Sequence, residues 1–213
     1  ITIGTRDAIV AVIDTGVNYN HPDLAQNIWV NPGEIPGNGI DDDGNGYVDD
    51  IHGFDFGVND GDPMDEPSGG HGTPVAGSLG AVGNNGIGVT GVAWNVSIMA
   101  LKIADAAGRL SSRAIVAAHD YATLMRERGI NIVATNNSYG GIAGNFYDNE
   151  DDRPDLVAEQ SAIERYLNAG GVFVASAGNS SLDNDSNLSA YPASFDLPGI
   201  IAVAATDNND ALA

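Results

Sequence analysis

Five short runs rich in apolar and β-branched residues limit what this chain can fold into. They are AIVAVID (8–14), VSIMALKI (96–103), INIVATNNS (130–138), GVFVASAG (171–178) and GIIAVAAT (199–206). A strand with one wet face alternates apolar and polar residues, whereas most of these runs are nearly continuously apolar. They suit a parallel sheet covered on both faces, and parallel strands need crossovers. Two intervening segments carry helical signals. SSRAIVAAHDYATLMRERG starts at a capping Ser111, sets Ile115, Ala118, Ala122 and Met125 on one face, and is followed by Gly129. PDLVAEQSAIERYLNAGG opens on Pro154, which a first helical turn tolerates. The alternation predicts an α/β fold: three layers, doubly wound, a mostly parallel sheet with helices on both faces. Ligands of such sheets lie beyond the carboxyl ends of the strands. Asp14, NNSYGG and ASAGN all fall at such ends.

The 213 residues suit one domain with a sizeable core, and neither a repeat nor a linker divides them. A net charge of −21 argues against nucleic acid or an anionic membrane as partner, and suits a protein that binds cations or works in salt. The absence of cysteine removes disulfides, thiolate metal sites and thiol catalysis. No apolar run reaches membrane-spanning length and no basic-then-apolar leader opens the chain. Its start at Ile1 suggests a processed product. From Asn31 to Gly70 the sequence is rich in Gly, Asp, Asn and Pro, which predicts a long loop region with one short strand at GFDF (53–56).

Three residues are candidates for chemistry. Asp14 ends the first apolar run, so its carboxylate is partly buried and must pair or accept hydrogen bonds. It can cap a turn, orient a histidine as the acid of a triad, or form half of an aspartic dyad, whose signature D-T-G it also carries. His71 lies in GGHGTPVAGSLGA. Pro74 is tolerable only near a helix start, and Ala76, Gly77 and Gly80 let that helix approach the sheet closely. His71 is therefore expected at a helix N-terminus beside the sheet, as a structural histidine or a base. Asn179 offers two amide donors. Aimed at a developing oxyanion, one contributes on the order of 3 kcal/mol; otherwise it is a turn residue.

GIDDDGNGYVDD (39–50) suggests a cation site. Asp41, Asp43, Asn45 and the Tyr47 carbonyl offer oxygen at alternate positions, with Gly46 at the sixth. The twelfth position is His52 rather than a bidentate Glu, so the loop is not an EF-hand, and Asp49 or Asp50 is left to close the shell. Five aspartates in ten residues repel one another without a cation, and hard oxygen donors favour Ca²⁺.

Taken together, these blocks resemble the subtilisin-like serine proteases, the subtilases. VAVIDTGVNYNHPDL is similar to that family's aspartate block and HGTPVAG to its histidine block, although the family usually has His where this chain has Pro74. The resemblance implies Asp14 as triad acid, His71 as base and Asn179, in ASAGNSS, as oxyanion donor. It implies a substrate cleft lined by Ser138, Tyr139 and Gly140 and by Ala175, Ser176, Ala177 and Gly178. Gly108, Arg109 and Leu110 would form an edge strand that pairs with the substrate backbone. AVGNNGIGVTG resembles the loop around the family's tight calcium, implying Asp23 and Asn85 by side chain and Val82, Ile87 and Val89 by carbonyl. One or two Ca²⁺ ions are thus expected, and the family implies secretion.

The family's nucleophile block, G-T-S-M-A-x-P, does not occur. The expectation is residues 1–213 as the N-terminal portion of a single catalytic domain of a serine endopeptidase. Its partner is a polypeptide substrate. With its C-terminal part and serine missing, it is expected to be inactive as it stands, and to expose core side chains to the missing segment or to self-association. The alternatives are a pseudoprotease or a calcium-stabilised peptide-binding module. An aspartic protease would need a β-rich fold and a second D-T-G or a homodimer.

Overall fold

The computed structural model describes residues 3–66, 70–142, 153–179, 181, 183–184 and 189–211. Its centre is β1 (Gly4–Asp14), which pairs in parallel with β3 (Asn95–Lys102) on one side and β4 (Ile132–Asn137) on the other. β2 (Gly53–Asp55) lies outside β3, and β6 (Val172–Ser176) and β8 (Ile200–Val203) continue beyond β4. The order is β2-β3-β1-β4-β6-β8, with every pairing parallel. A separate antiparallel pair joins β5 (Gly141–Ile142) to β7 (Ala190–Tyr191).

The helices divide between the faces, as expected. On one face, Ile9, Ala11 and Ile13 of β1 and Met99 and Leu101 of β3 pack against Ala118, Tyr121, Ala122 and Met125 of α2 (Ser112–Glu127). Tyr166 of α3 (Arg153–Asn168) joins this cluster. On the opposite face, Val12, Val96, Ile98 and Ala100 meet Ala76 of α1 (Gly72–Gly80). Successive residues of β1 and β3 thus point into different cores, which is why their sequences do not alternate. Each fully buried Ile or Leu contributes about 1.5–3 kcal/mol. Ser111 caps α2, its hydroxyl accepting the Ala114 N–H at 3.2 Å.

One strand departs from the pattern. The run at 199–206 is apolar enough for a doubly covered strand, yet only 200–203 are extended, and Ile201 and Val203 are 51% and 50% exposed. β8 is the edge of the described sheet, with β6 as its one neighbour there. The register sets Ile201 beside Val174 and Val203 beside Ser176, on the face opposite buried Phe173 and Ala175. Val172 shares that face, is 39% exposed and pairs with Ala134. Among the described residues, the α1 side of the sheet is therefore largely apolar and uncovered beyond α1. The loop region between Asn31 and Gly70 holds β2 as its one strand among the described residues; positions 67–69 lie outside them, as do Ser180 of the ASAGNSS block and the last two residues.

Candidate active site

β1 ends at Asp14, which is 3% exposed, and α1 begins just after His71. The two side chains meet: His71 Nδ1 lies 2.8 and 2.9 Å from the two carboxylate oxygens of Asp14. Glycine makes the approach possible. A Cβ at Gly72 would stand 2.0 Å from the Gly16 carbonyl oxygen and 3.0 Å from Asp14 Cβ. Burial pushes the Asp14 carboxyl above its usual range, while the Thr15 N–H, donating at 2.7 Å, and His71 act to hold it down. The imidazole remains 55% exposed. With Nδ1 held by a carboxylate, Nε2 is the nitrogen left to take and return a proton.

Both residues line a cleft of about 420 Å³ at the carboxyl ends of the strands. Gly108, Leu110, Ser138, Tyr139, Gly140, Ser176, Ala177, Gly178 and Asn179 line it with them. Tyr139 is anchored from behind, its hydroxyl 2.9 Å from Nε2 of the buried His119.

Two of the expected substrate-binding residues lie elsewhere. Arg109 turns to solvent, its guanidinium donating to Asp105 at 2.8 and 3.0 Å. Ala175 points into the core with Ile163 and Phe173, because the next residue on the strand, Ser176, takes the cleft side. Nor is 108–110 an edge strand. The Gly108 N–H donates to the Asp105 carbonyl, Gly108 has φ +74°, and one bridge joins Ala104 to Leu110, which together make a turn. Thr15, Gly141, Asn184, Ala190 and Tyr191 also line the cleft. The β5–β7 pairing delivers the last two, and a two-residue strand leaves no periodicity by which sequence reading could find it.

The acidic loop separates the residues expected to share a cation. Asp41 and Asp43 converge with Glu34, one oxygen of each lying within 4.8 Å of the others. Glu34 was not among the expected ligands. Asp49 instead accepts N–H bonds from Gly37, Asn38 and Gly39. Asp50 is fully buried and accepts from Tyr121 at 2.5 Å, Asn31 at 2.8 Å and Asn45 at 2.9 Å; burial pushes it up to about 6. The side chain of Asn45 is thus turned towards Asp50, and that of Tyr47 packs edge-on against Phe54 and Tyr121. Three convergent carboxylates fit a hard cation such as Ca²⁺.

Around Asp23 the geometry differs. Its two oxygens accept the Asn85 amide at 2.7 Å and the Val89 N–H at 2.8 Å, which hold the carboxyl below its usual range. Asn85 Oδ1 accepts the Ile87 N–H, and the Val82 N–H donates to the Asp23 carbonyl. The Asp23 and Asn85 side chains thus come together, as expected, with their oxygens meeting N–H donors as those of Glu34 and Asp41 also do.

The Subtilase family model matches residues 5–213. "Thermitase" of Thermoactinomyces vulgaris is 34% identical over 203 residues, spanning 95% of this chain and 56% of that protein. "Subtilisin-like protease 1" of Plasmodium berghei (strain Anka) is 38% identical over 175 residues, 81% of this chain and 26% of that one. The solved structure "S41 Psychrophilic Protease" superposes with a TM-score of 0.71 at 30% identity, covering 96% of this chain and 55% of the other. The chain spans about half the length of Thermitase and a smaller share of the Plasmodium relative.

Proposed function

The chain belongs to the subtilase family and is a subtilisin-like serine protease domain; from that premise we propose how its residues divide the work. His71 is the general base, Asp14 fixes its tautomer and stabilises its charge, and Asn179 donates to the oxyanion of the tetrahedral intermediate. The observation that carries this reading is the contact of His71 Nδ1 with both oxygens of a buried Asp14 at the rim of the cleft. The substrate is a polypeptide held extended along Ser138–Gly140 and Ser176–Gly178. The aspartic alternative loses its support, because the fold is a parallel α/β sheet and Asp14 faces a histidine.

The proton that His71 takes belongs to a serine that no nucleophile block in these 213 residues supplies. Residues 1–213 are thus read as the N-terminal portion of one catalytic domain, unable to turn over by itself. The same observation favours a second reading, a domain that binds peptides without cleaving them. The uncovered face around Val172, Ile201 and Val203 would receive a further polypeptide segment or a second copy of the chain. Glu34, Asp41 and Asp43 would hold one Ca²⁺, which would neutralise the loop. A calcium-held loop suits work outside the cell, where that ion is abundant; among the described residues no helix is long and apolar enough to cross a membrane.

The peptide-binding part of this reading is tested by titrating the chain with an extended peptide bearing a large apolar side chain, followed by NMR. Amide shifts confined to residues 108–110, 138–140 and 176–179 are expected. Saturable binding that perturbs other residues and leaves these unmoved would overturn it.

A further inference from the structure

The Asp14–His71 contact joins two separate elements, the end of β1 and the start of α1, and something must fix their spacing. Thr15 and Asp65 stand between them. The Thr15 hydroxyl accepts the backbone N–H groups of His71 and Gly72, both at 2.9 Å. Two accepted bonds use both lone pairs and leave the hydroxyl one hydrogen to give. It donates that hydrogen to Asp65 Oδ1 at 2.8 Å.

The other Asp65 oxygen holds the first turn of α1, accepting the Thr73 N–H at 2.9 Å and the Thr73 hydroxyl at 2.6 Å. A fourth donor, the Glu66 N–H, reaches Oδ1 at 3.1 Å. An ionised carboxylate has about four acceptor positions, so each meets a donor. Only an acceptor without donors satisfies that shell. The group is 5% exposed, and glycines wall it in. A Cβ at Gly70 would fall 2.4 Å from Asp65 Cγ, and one at Gly16 would fall 2.9 Å from Asp65 Cα.

We infer that Asp65 is a positioning residue for the catalytic pair: acting through Thr15, it clamps the backbone of His71 to the end of β1 and so sets the imidazole on Asp14. Asp65 touches neither His71's ring nor the cleft, and its effect passes through the Thr15 hydroxyl and the first turn of α1. The inference rests on the reading of Asp14 and His71 as acid and base.

The test uses the 213-residue chain labelled with ¹⁵N-histidine. Its readout is the downfield proton resonance of His71 Nδ1–H bonded to Asp14, assigned by its loss in Asp14→Asn. Thr15→Ser, which keeps the hydroxyl, should retain the resonance. Thr15→Val, Asp65→Asn and Gly70→Ala should lose or broaden it. Gly70→Ala matters because it displaces the carboxylate without removing its charge. Should Asp65→Asn fail to fold, the comparison of Thr15→Ser with Thr15→Val decides. An unchanged resonance in a folded Thr15→Val together with an unchanged one in Gly70→Ala overturns the clamp and leaves the pair intact. A wild-type chain with no Asp14-dependent resonance overturns both.

Discussion

At the scale of single residues, burial sets the chemistry. Asp14 is held almost out of water with a raised carboxyl, a cost that the Thr15 N–H and His71 partly offset. Asp14→Asn keeps the shape and removes the group that selects the imidazole tautomer. In an enzyme completed by its serine, kcat is expected to fall about 10⁴-fold, measured by steady-state peptide hydrolysis. His119 shows the other consequence of burial. Its imidazole is pushed down to about 3 by complete burial, against an ordinary 6.5. The unfolded chain therefore binds a proton that the folded chain refuses, and the stability from this residue is present above 6.5 and lost as pH falls towards 3. The slope reaches about 1.4 kcal/mol per pH unit. Denaturant unfolding from pH 7 to 4 should show it, with a shallower slope in His119→Gln. Asp14 and His71 were legible in the sequence because each sits in a distinctive local block. Glu34 and Asp65 were not, since both lie in a loop region without periodicity and their partners are distant in sequence: Asp42, Asp43 and Asp49 for Glu34, Thr15 and Thr73 for Asp65. Arg109 was misplaced because an acid four residues earlier captures its guanidinium.

At the scale of elements, glycine and alternation do the positioning. α1 has nine residues, three of them glycine, and owes its place to close packing rather than to helix propensity. Gly72→Ala drives a methyl into the Gly16 carbonyl. A loss of about 1–3 kcal/mol is expected in urea unfolding, together with separation of His71 from Asp14. Phe173→Ala, at the core of the α3 side, is expected to cost about 3–5 kcal/mol by the same measurement. For the acidic loop, adding Ca²⁺ to one hundred times its dissociation constant should stabilise the chain by about 2.7 kcal/mol. Chelator should reverse the gain, and Glu34→Gln should abolish it. No change in melting temperature on adding Ca²⁺ would reduce the cluster to a solvated acidic turn. The long strands could be read from sequence because both of their faces are buried. β5 and β7 could not, because two residues carry no pattern and their pairing spans some fifty positions.

At the scale of the whole molecule, a net charge of −21 opposes association, while an apolar sheet face that no described residue covers favours it. Salt screens the first effect and not the second. Sedimentation should therefore show oligomers that grow with ionic strength, and Ile201→Lys with Val203→Lys should leave the chain monomeric. The sheet and the division of helices between its faces were legible in the five apolar runs, and exposed core side chains were expected; that they lie on β6 and β8 was not legible, since an edge strand and a covered one read alike when both are apolar. On the reading proposed above, Asp14, His71 and Asn179 belong to a catalytic site whose serine these 213 residues do not supply. Peptide hydrolysis tests it most directly, comparing the 213-residue chain with the same chain extended by a segment that carries the family's serine block. No turnover is expected of the chain alone, and turnover of the extended chain that His71→Ala abolishes. Hydrolysis by the unextended chain at an intact enzyme's rate, or turnover of the extended chain that survives His71→Ala, would contradict it.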